Sequence, residues 1–195
     1  DYEQHLLEPM YRDLAPLDPE GILRHEWANA RGCIARFERM AIEIRLLDLQ
    51  ECPAMDLAIA ALVVGAVKEL VAEGPSSYAE QKTFSERELE PILRATIADA
   101  DEALVEHPRL LRALGHAGPA PARAKDVWRS ISRRIAARDA SFAEWQPSLD
   151  VIYEQGCLAR RISTAVGQSP GHERLVSVYR QLAGCLDRGE PFRAT

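Results

Sequence analysis

The feature that most constrains this chain is a short period-two segment inside an otherwise helical pattern. In "AIEIRLLDLQECP", residues 41–53, Ile42, Ile44 and Leu46 alternate with Glu43, Arg45 and Leu47. Alternation of this kind is the signature of a strand, because successive side chains point to opposite faces. Glu43 and Arg45 therefore share one face. The preceding "CIARFE" also tolerates a strand, so the two segments predict a hairpin turning near Glu38-Arg39-Met40, although neither Gly nor Asn marks the turn. An isolated two-stranded hairpin is marginal in water and leaves two open edges. Either helices cover those edges or further strands belong beside them.

Helical signals dominate the remainder. Short helical pieces and Pro-bearing turns alternate in the opening segment, and Asp18 before Pro19 predicts a capped helix start. "HEWANARG" reads either as an amphipathic helix entering the hairpin or as a pocket lining with Trp27 as its apolar wall. Pro53 suits a first helical turn, and residues 54–73 are apolar on nearly all sides, which predicts a helix covered by its neighbours. "SERE" at 85–88 has capping-box spacing and opens a helix towards His107, with Pro91 as a potential kink. A short helix is expected over 108–114, then an Ala/Pro-rich linker. Further helices are expected over 123–138, 147–166 and 171–187. The expected fold class is mostly α with a short antiparallel hairpin. Its expected division is residues 1–115 (hairpin about 33–48 plus packing helices) and a helical segment over 122–195.

Composition excludes several function classes. The chain has 195 residues, enough to bury a real core. Its 24 basic against 30 acidic side chains give a net charge of −6, unsuited to neutralising nucleic-acid phosphates. The apolar run 57–67 is too short to span a bilayer. Cys33, Cys52, Cys157 and Cys185 form no C-x-x-C pair and have no histidine at ligand spacing, which argues against zinc. Scattered thiols suit a reducing cytoplasm. The chain begins without Met and already in an amphipathic pattern. Such a start is expected of a tag-cleaved or proteolysed protein, or of the C-terminal part of a longer one.

Two readings of the strand stand side by side. A carboxylate and a guanidinium two residues apart can hold a divalent cation and a phosphate next to each other. They can equally form a solvated surface ion pair. The same choice applies to Arg129, Arg133, Arg134 and Arg138 with Arg160-Arg161, as a phosphate site or a solvated helix face.

The segment "EWANARGCIARFERMAIEIRLLDLQECPAMDLAIAALVVGAVKEL" resembles the C-terminal half of the carboxylate–amine ligase family, the type-2 branch related to glutamate–cysteine ligases. The resemblance lies in a strand of the form I-E-x-R-x-x-D, here Ile42, Glu43, Arg45 and Asp48, followed by an Ala/Leu/Val-rich helix. The tail from Gly156 to Phe192 resembles the helical C-terminus of some members. This resemblance implies ATP and Mg2+ as cofactors and amino-acid substrates joined through an acyl phosphate. It assigns Glu43 as a metal ligand and Arg45 as the catalytic and nucleotide-contacting cation. Arg31 and Asn29 are pocket candidates, and Asp48 supports the strand end. The family's other metal-binding strands have no counterpart here. The expected partners are accordingly the missing N-terminal portion of the same protein and small molecules, with neither nucleic acid nor membrane, and the fragment alone is expected to be inactive. The alternative is a non-catalytic helical assembly module derived from such a ligase, which predicts strand-edge pairing or a homodimer.

Overall fold

Residues 2–29 and 31–194 are described by a computed structural model. They fall into two units, one over Asp1–Asp48 and one over Leu49–Thr195.

The first unit opens with a π-helical turn at Glu3–Leu7, helix α1 at Glu8–Leu14 and a 3-10 turn at Ala15–Leu17. The helix expected after Asp18 does not form. Instead the Asp18 carboxylate accepts the Ile22 and Leu23 N–H groups at 3.0 and 2.7 Å, closing a turn around Gly21, whose φ is +70°. Such a side-chain bond offers the backbone an alternative to helix. Nor do the described residues of "HEWANARG" form an α-helix: Glu26–Ala28 form a single 3-10 turn.

The hairpin is present. Strand β1 (Cys33–Arg36) pairs antiparallel with β2 (Ala41–Ile44), with Ile34 opposite Glu43 and Arg36 opposite Ala41. Its ladder extends one step further, where the Arg45 N–H donates to the Gly32 carbonyl at 2.8 Å. The turn is a 3-10 turn over Phe37–Arg39, closed by Met40 in the left-handed region at φ 50° and ψ 43°. This explains how the turn forms without Gly or Asn. A side chain there costs about 1–2 kcal/mol, and Met40 is 95% exposed, so no packing offsets it.

The charged face of the hairpin is the covered one. Ile34, on the same face as Glu43, is 1% exposed, whereas Ile42 on the opposite face is 63% exposed. That opposite face also carries exposed Cys33 and Ile44.

In the second unit the long apolar helix α2 runs Pro53–Val71, followed by α3 (Tyr78–Gln81) and α4 (Glu86–Asp99). The Ser85–Glu88 capping box forms in both directions, and α4 continues through Pro91. Helix α2 packs on α6 (Ala124–Ala136), α7 (Gln146–Gln155) and the 3-10 turn at Ala140–Trp145. At Gly65 the packing is tight, and an added Cβ would lie 2.6 Å from Ile135 Cδ1. Around this contact Ala58, Leu62, Val127, Ile131, Phe142 and Leu149 build the main core. Complete coverage of α2 was the sequence expectation, and it does not hold. Leu57, Ala60, Val64, Val67 and Val71 follow one stripe at heptad spacing and are exposed.

The expected single helix over 147–166 is two, α7 and α8 (Leu158–Val166), broken at Gly156 with φ +87°. Asp101 caps the break, accepting the Cys157 N–H at 3.3 Å and Arg160 Nε at 2.9 Å. Helix α5 (Pro108–Ala113) and a two-residue ladder of β3 (Leu104–Val105) with β4 (Ala122–Arg123) bracket the Ala/Pro-rich loop. Two residues per strand are too few for any periodic signal. The last helix, α9 (His172–Arg188), packs against α8 around Ala165, Val178, Cys185 and Phe192.

These arginines divide: Arg133 and Arg138 lie on an exposed helix face, as a solvated face requires, while the others are bound within the protein. Arg134 and Arg138 both approach Glu69, and Arg129 lies against the Tyr153 ring and bonds its carbonyl. Arg161 is fully buried against an equally buried Glu51 carboxylate. Its Nη1 also donates to the Phe192 carbonyl at 2.6 Å, its Nε to the Gly156 carbonyl at 3.2 Å, and the Phe192 N–H returns to Glu51 at 2.7 Å. One ion pair thus ties the tail to the entry of α2 and the start of α8, with its polar atoms satisfied.

Two measurements check this picture. Met40→Gly should stabilise the hairpin by about 0.5–1 kcal/mol, the left-handed strain relieved less the entropy of glycine, seen as slower hydrogen exchange at Ala41–Ile44. Arg161→Met should cost about 3–5 kcal/mol in denaturant unfolding, because it strands a buried carboxylate. The double variant Glu51→Leu/Arg161→Met should recover much of that loss.

Candidate functional site

The expected pair meets as the strand predicts. On the covered face of the hairpin, Glu43 Oε1 accepts Arg45 Nε at 2.8 Å. Its other oxygen accepts Nη1 of Arg36, brought across from β1 by the register. Arg36 Nε in turn donates to Glu26 at 2.9 Å from the 3-10 turn before the hairpin. Arg45 Nη1 donates to the Asn29 carbonyl at 2.7 Å. Asn29 is buried; its side-chain oxygen accepts the Arg31 N–H at 3.1 Å and its amide donates to the Tyr2 hydroxyl.

Of the residues expected at the site, Glu43, Arg45 and Asn29 are joined directly, and Arg31 joins through its backbone N–H. Asp48 lies beyond the end of β2. Arg36 and Glu26 complete the cluster; Glu26 lies in the stretch read as a pocket lining, whereas Arg36 carries no assignment from the sequence. Arg36 could have been found by writing out the register: a turn over 37–40 places it on the face of Glu43.

The electrostatics are those of a balanced network. Hydrogen bonding to Arg45, then to Arg36, holds the Glu43 carboxyl below the ordinary glutamate range. Bonds to Glu26 and then Glu43 push Arg36 further up. Two carboxylates and two guanidiniums cancel formally. Among the described residues, the Nη2 groups of Arg36 and Arg45 have no acceptor. Two fixed forks with outer N–H groups unspent can receive the oxygens of a carboxylate or phosphate.

Magnesium is a poor fit to these residues alone. It takes oxygen ligands, usually one or two carboxylates with substrate phosphates and water. Both Glu43 oxygens are occupied by guanidiniums, and the nearby Glu26 is bonded to Arg36. No group of three or more metal-ligating side chains occurs among the described residues. Further carboxylates would have to come from elsewhere. Also among the described residues, no helix is long and apolar enough to cross a membrane.

Comparison with known proteins places the geometry in context. Residues 2–181 match the model of glutamate–cysteine ligase family 2. An Archaeoglobus fulgidus protein, described only as uncharacterized, is 26% identical over 180 residues. The match takes in 88% of this chain and 39% of that relative, so the chain spans well under half the relative's length. No solved structure matches the chain.

The network makes a prediction about acid. A carboxylate whose folded-state pKa is depressed contributes stability above its unfolded pKa, and that contribution is lost as pH falls through the folded value. The side-chain 13C signal of Glu43 should therefore titrate below that of an ordinary exposed glutamate. Arg45→Gln should move its midpoint up, towards the ordinary value.

Proposed function

The chain belongs to glutamate–cysteine ligase family 2, and from that premise we propose that it supplies part of an ATP-dependent carboxylate–amine ligase. In the proposed reaction a substrate carboxylate oxygen, glutamate being the expected donor, attacks the γ-phosphorus of ATP. The bond to the bridging oxygen breaks and ADP leaves. An amine nitrogen then attacks the acyl carbon, phosphate departs, the nitrogen loses a proton, and an amide results.

The observation that carries this reading is the pair of guanidiniums fixed by one carboxylate on the covered face of a family-matched strand. Arg45 is the catalytic cation, donating to oxygens that gain charge as the phosphoryl group transfers. Fixed donors aimed at developing charge need no reorganisation at the moment of reaction. Arg36 supplies a second fork. Asn29, with Arg31 beside it, positions Arg45 through the carbonyl bond. Glu43 is assigned to metal binding only in the company of carboxylates from the rest of the ligase, with ATP and Mg2+ acting in that complete protein.

On this reading residues 1–115 carry the ligase-core remnant and 122–195 the C-terminal helical segment. In this proposal carboxylates from a further portion of the ligase complete the site. Two features support a need for more chain. The apolar hairpin face bearing Cys33, Ile42 and Ile44 is exposed, and the chain spans only 39% of the relative it matches. The exposed stripe on α2 favours a second reading, a non-catalytic assembly module that pairs with another copy of itself.

The complete protein decides between them. It should form ADP from ATP only when a carboxylate, glutamate first, and an amine are both present. Glu43→Gln should lower that turnover by at least ~100-fold, in the range for loss of a fixed electrostatic group, with the circular dichroism spectrum unchanged. Turnover unaffected by Glu43→Gln would remove the strand from the chemistry. Absence of turnover, together with a dimer that Val64→Glu dissociates, would favour the assembly module.

A further inference from the structure

A cavity lies in the Leu49–Thr195 unit, and no hairpin residue lines it. It has a volume of about 500 Å³ and opens to solvent between α5 and the Ala/Pro-rich loop, with Pro108, Leu111, Arg112, His116 and Gly118 among its lining. A volume of this size suits a small organic molecule.

Three observations show how its polar groups are arranged. First, His116 is held in place: its ring Nδ1 lies 2.8 Å from Ser130 Oγ on α6, and its backbone N–H donates to the Leu111 carbonyl at 2.8 Å. Ser130 is itself fixed, donating to the Asp126 carbonyl at 2.9 Å. Nε2 is therefore the ring nitrogen left for a ligand. Second, residue 118 has no side chain. A Cβ there would stand 2.5 Å from His116 Nε2, so glycine is what keeps that nitrogen open. Third, Arg112 lines the same cavity, and among the described residues its guanidinium has no acceptor. The neighbouring Arg134, which donates to the Gly115 carbonyl, is by contrast already paired with Glu69.

From this juxtaposition we infer that the α5–loop cavity binds the oxyanion group, carboxylate or phosphate, of a small molecule, between the Arg112 fork and His116 Nε2. A guanidinium matches the two oxygens of such a group in its plane. The anion selects the form of His116 in which Nε2 carries a hydrogen. In that form Nδ1–H donates to Ser130 Oγ, whose own hydrogen stays on the Asp126 carbonyl, and Nε2–H faces the anion, so that anion and proton bind together. Leu111 and Pro108 supply an apolar wall for the rest of the molecule. The inference does not depend on the ligase reading, since none of these residues belongs to the hairpin.

The test is a side-chain NMR titration of the five histidines, with inorganic phosphate in one arm and succinate in the other. In either arm His116 should shift saturably while His5, His25, His107 and His172 stay in place. Saturation with phosphate alone would identify a phosphoryl site, and with succinate alone a carboxylate site. Arg112→Ala, an exposed change that leaves the core intact, should weaken binding about tenfold, the worth of one charge-assisted hydrogen bond. Gly118→Ala should abolish it by covering Nε2. A His116 response that is linear in anion concentration, or identical in wild type and Arg112→Ala, would overturn the inference.

Discussion

One carboxylate, Glu43, sets the geometry of the hairpin's polar face. It accepts from Arg45 two residues along its own strand and from Arg36 across the ladder. Guanidiniums are planar and rigid, so binding each through one edge also fixes the direction of its remaining N–H groups. Glu26 and the Asn29 carbonyl hold further edges. What results is less a surface ion pair than a scaffold: two forks held in set orientations by acceptors on the turn, the strand and the loop. Exposed pairs contribute little to stability because solvent competes for both ends. The value of this network lies in orientation.

The same hairpin inverts the usual logic of a two-sided sheet. Ordinarily the apolar face is covered and the charged face wet. Here Ile34 is buried beside Glu43, and Ile42 and Ile44 stand exposed. Helix α2 tells a similar story in the other unit, with a core-facing side closed around Gly65 and a second apolar stripe left bare. The Glu51–Arg161 pair in turn clasps the end of the chain to the entry of α2.

Much of this was legible in the residues, and the failures have physical causes. The hairpin, its turn, the capping box at Ser85 and the mostly α class followed from periodicity and capping chemistry. Glu43 and Arg45 were recognisable as a pair from their shared face. Arg36 was not, because its role depends on register, a long-range property that spacing along one strand does not reveal. The helix expected after Asp18 gave way to a turn closed by its carboxylate on the Ile22 and Leu23 N–H groups, since a carboxylate that can cap a helix can also close a turn without one. Arg161 carried no sequence sign of burial. A charge is driven inside only by a partner, and Glu51 lies far away in the chain. Likewise the β3–β4 ladder is fixed by its surroundings and not by any alternation of its own.

The most direct test of the central claim is to watch the Arg45 guanidinium while nucleotide binds. In the complete protein, the 15Nε signal of Arg45 should be sharp and protected before any addition, as its bond to Glu43 requires. Added ATP should then shift the Arg45 and Arg36 guanidinium signals together and saturably, with Nε protection retained. Guanidinium signals that stay unmoved at ATP concentrations saturating turnover would contradict the assignment of this strand to the nucleotide site.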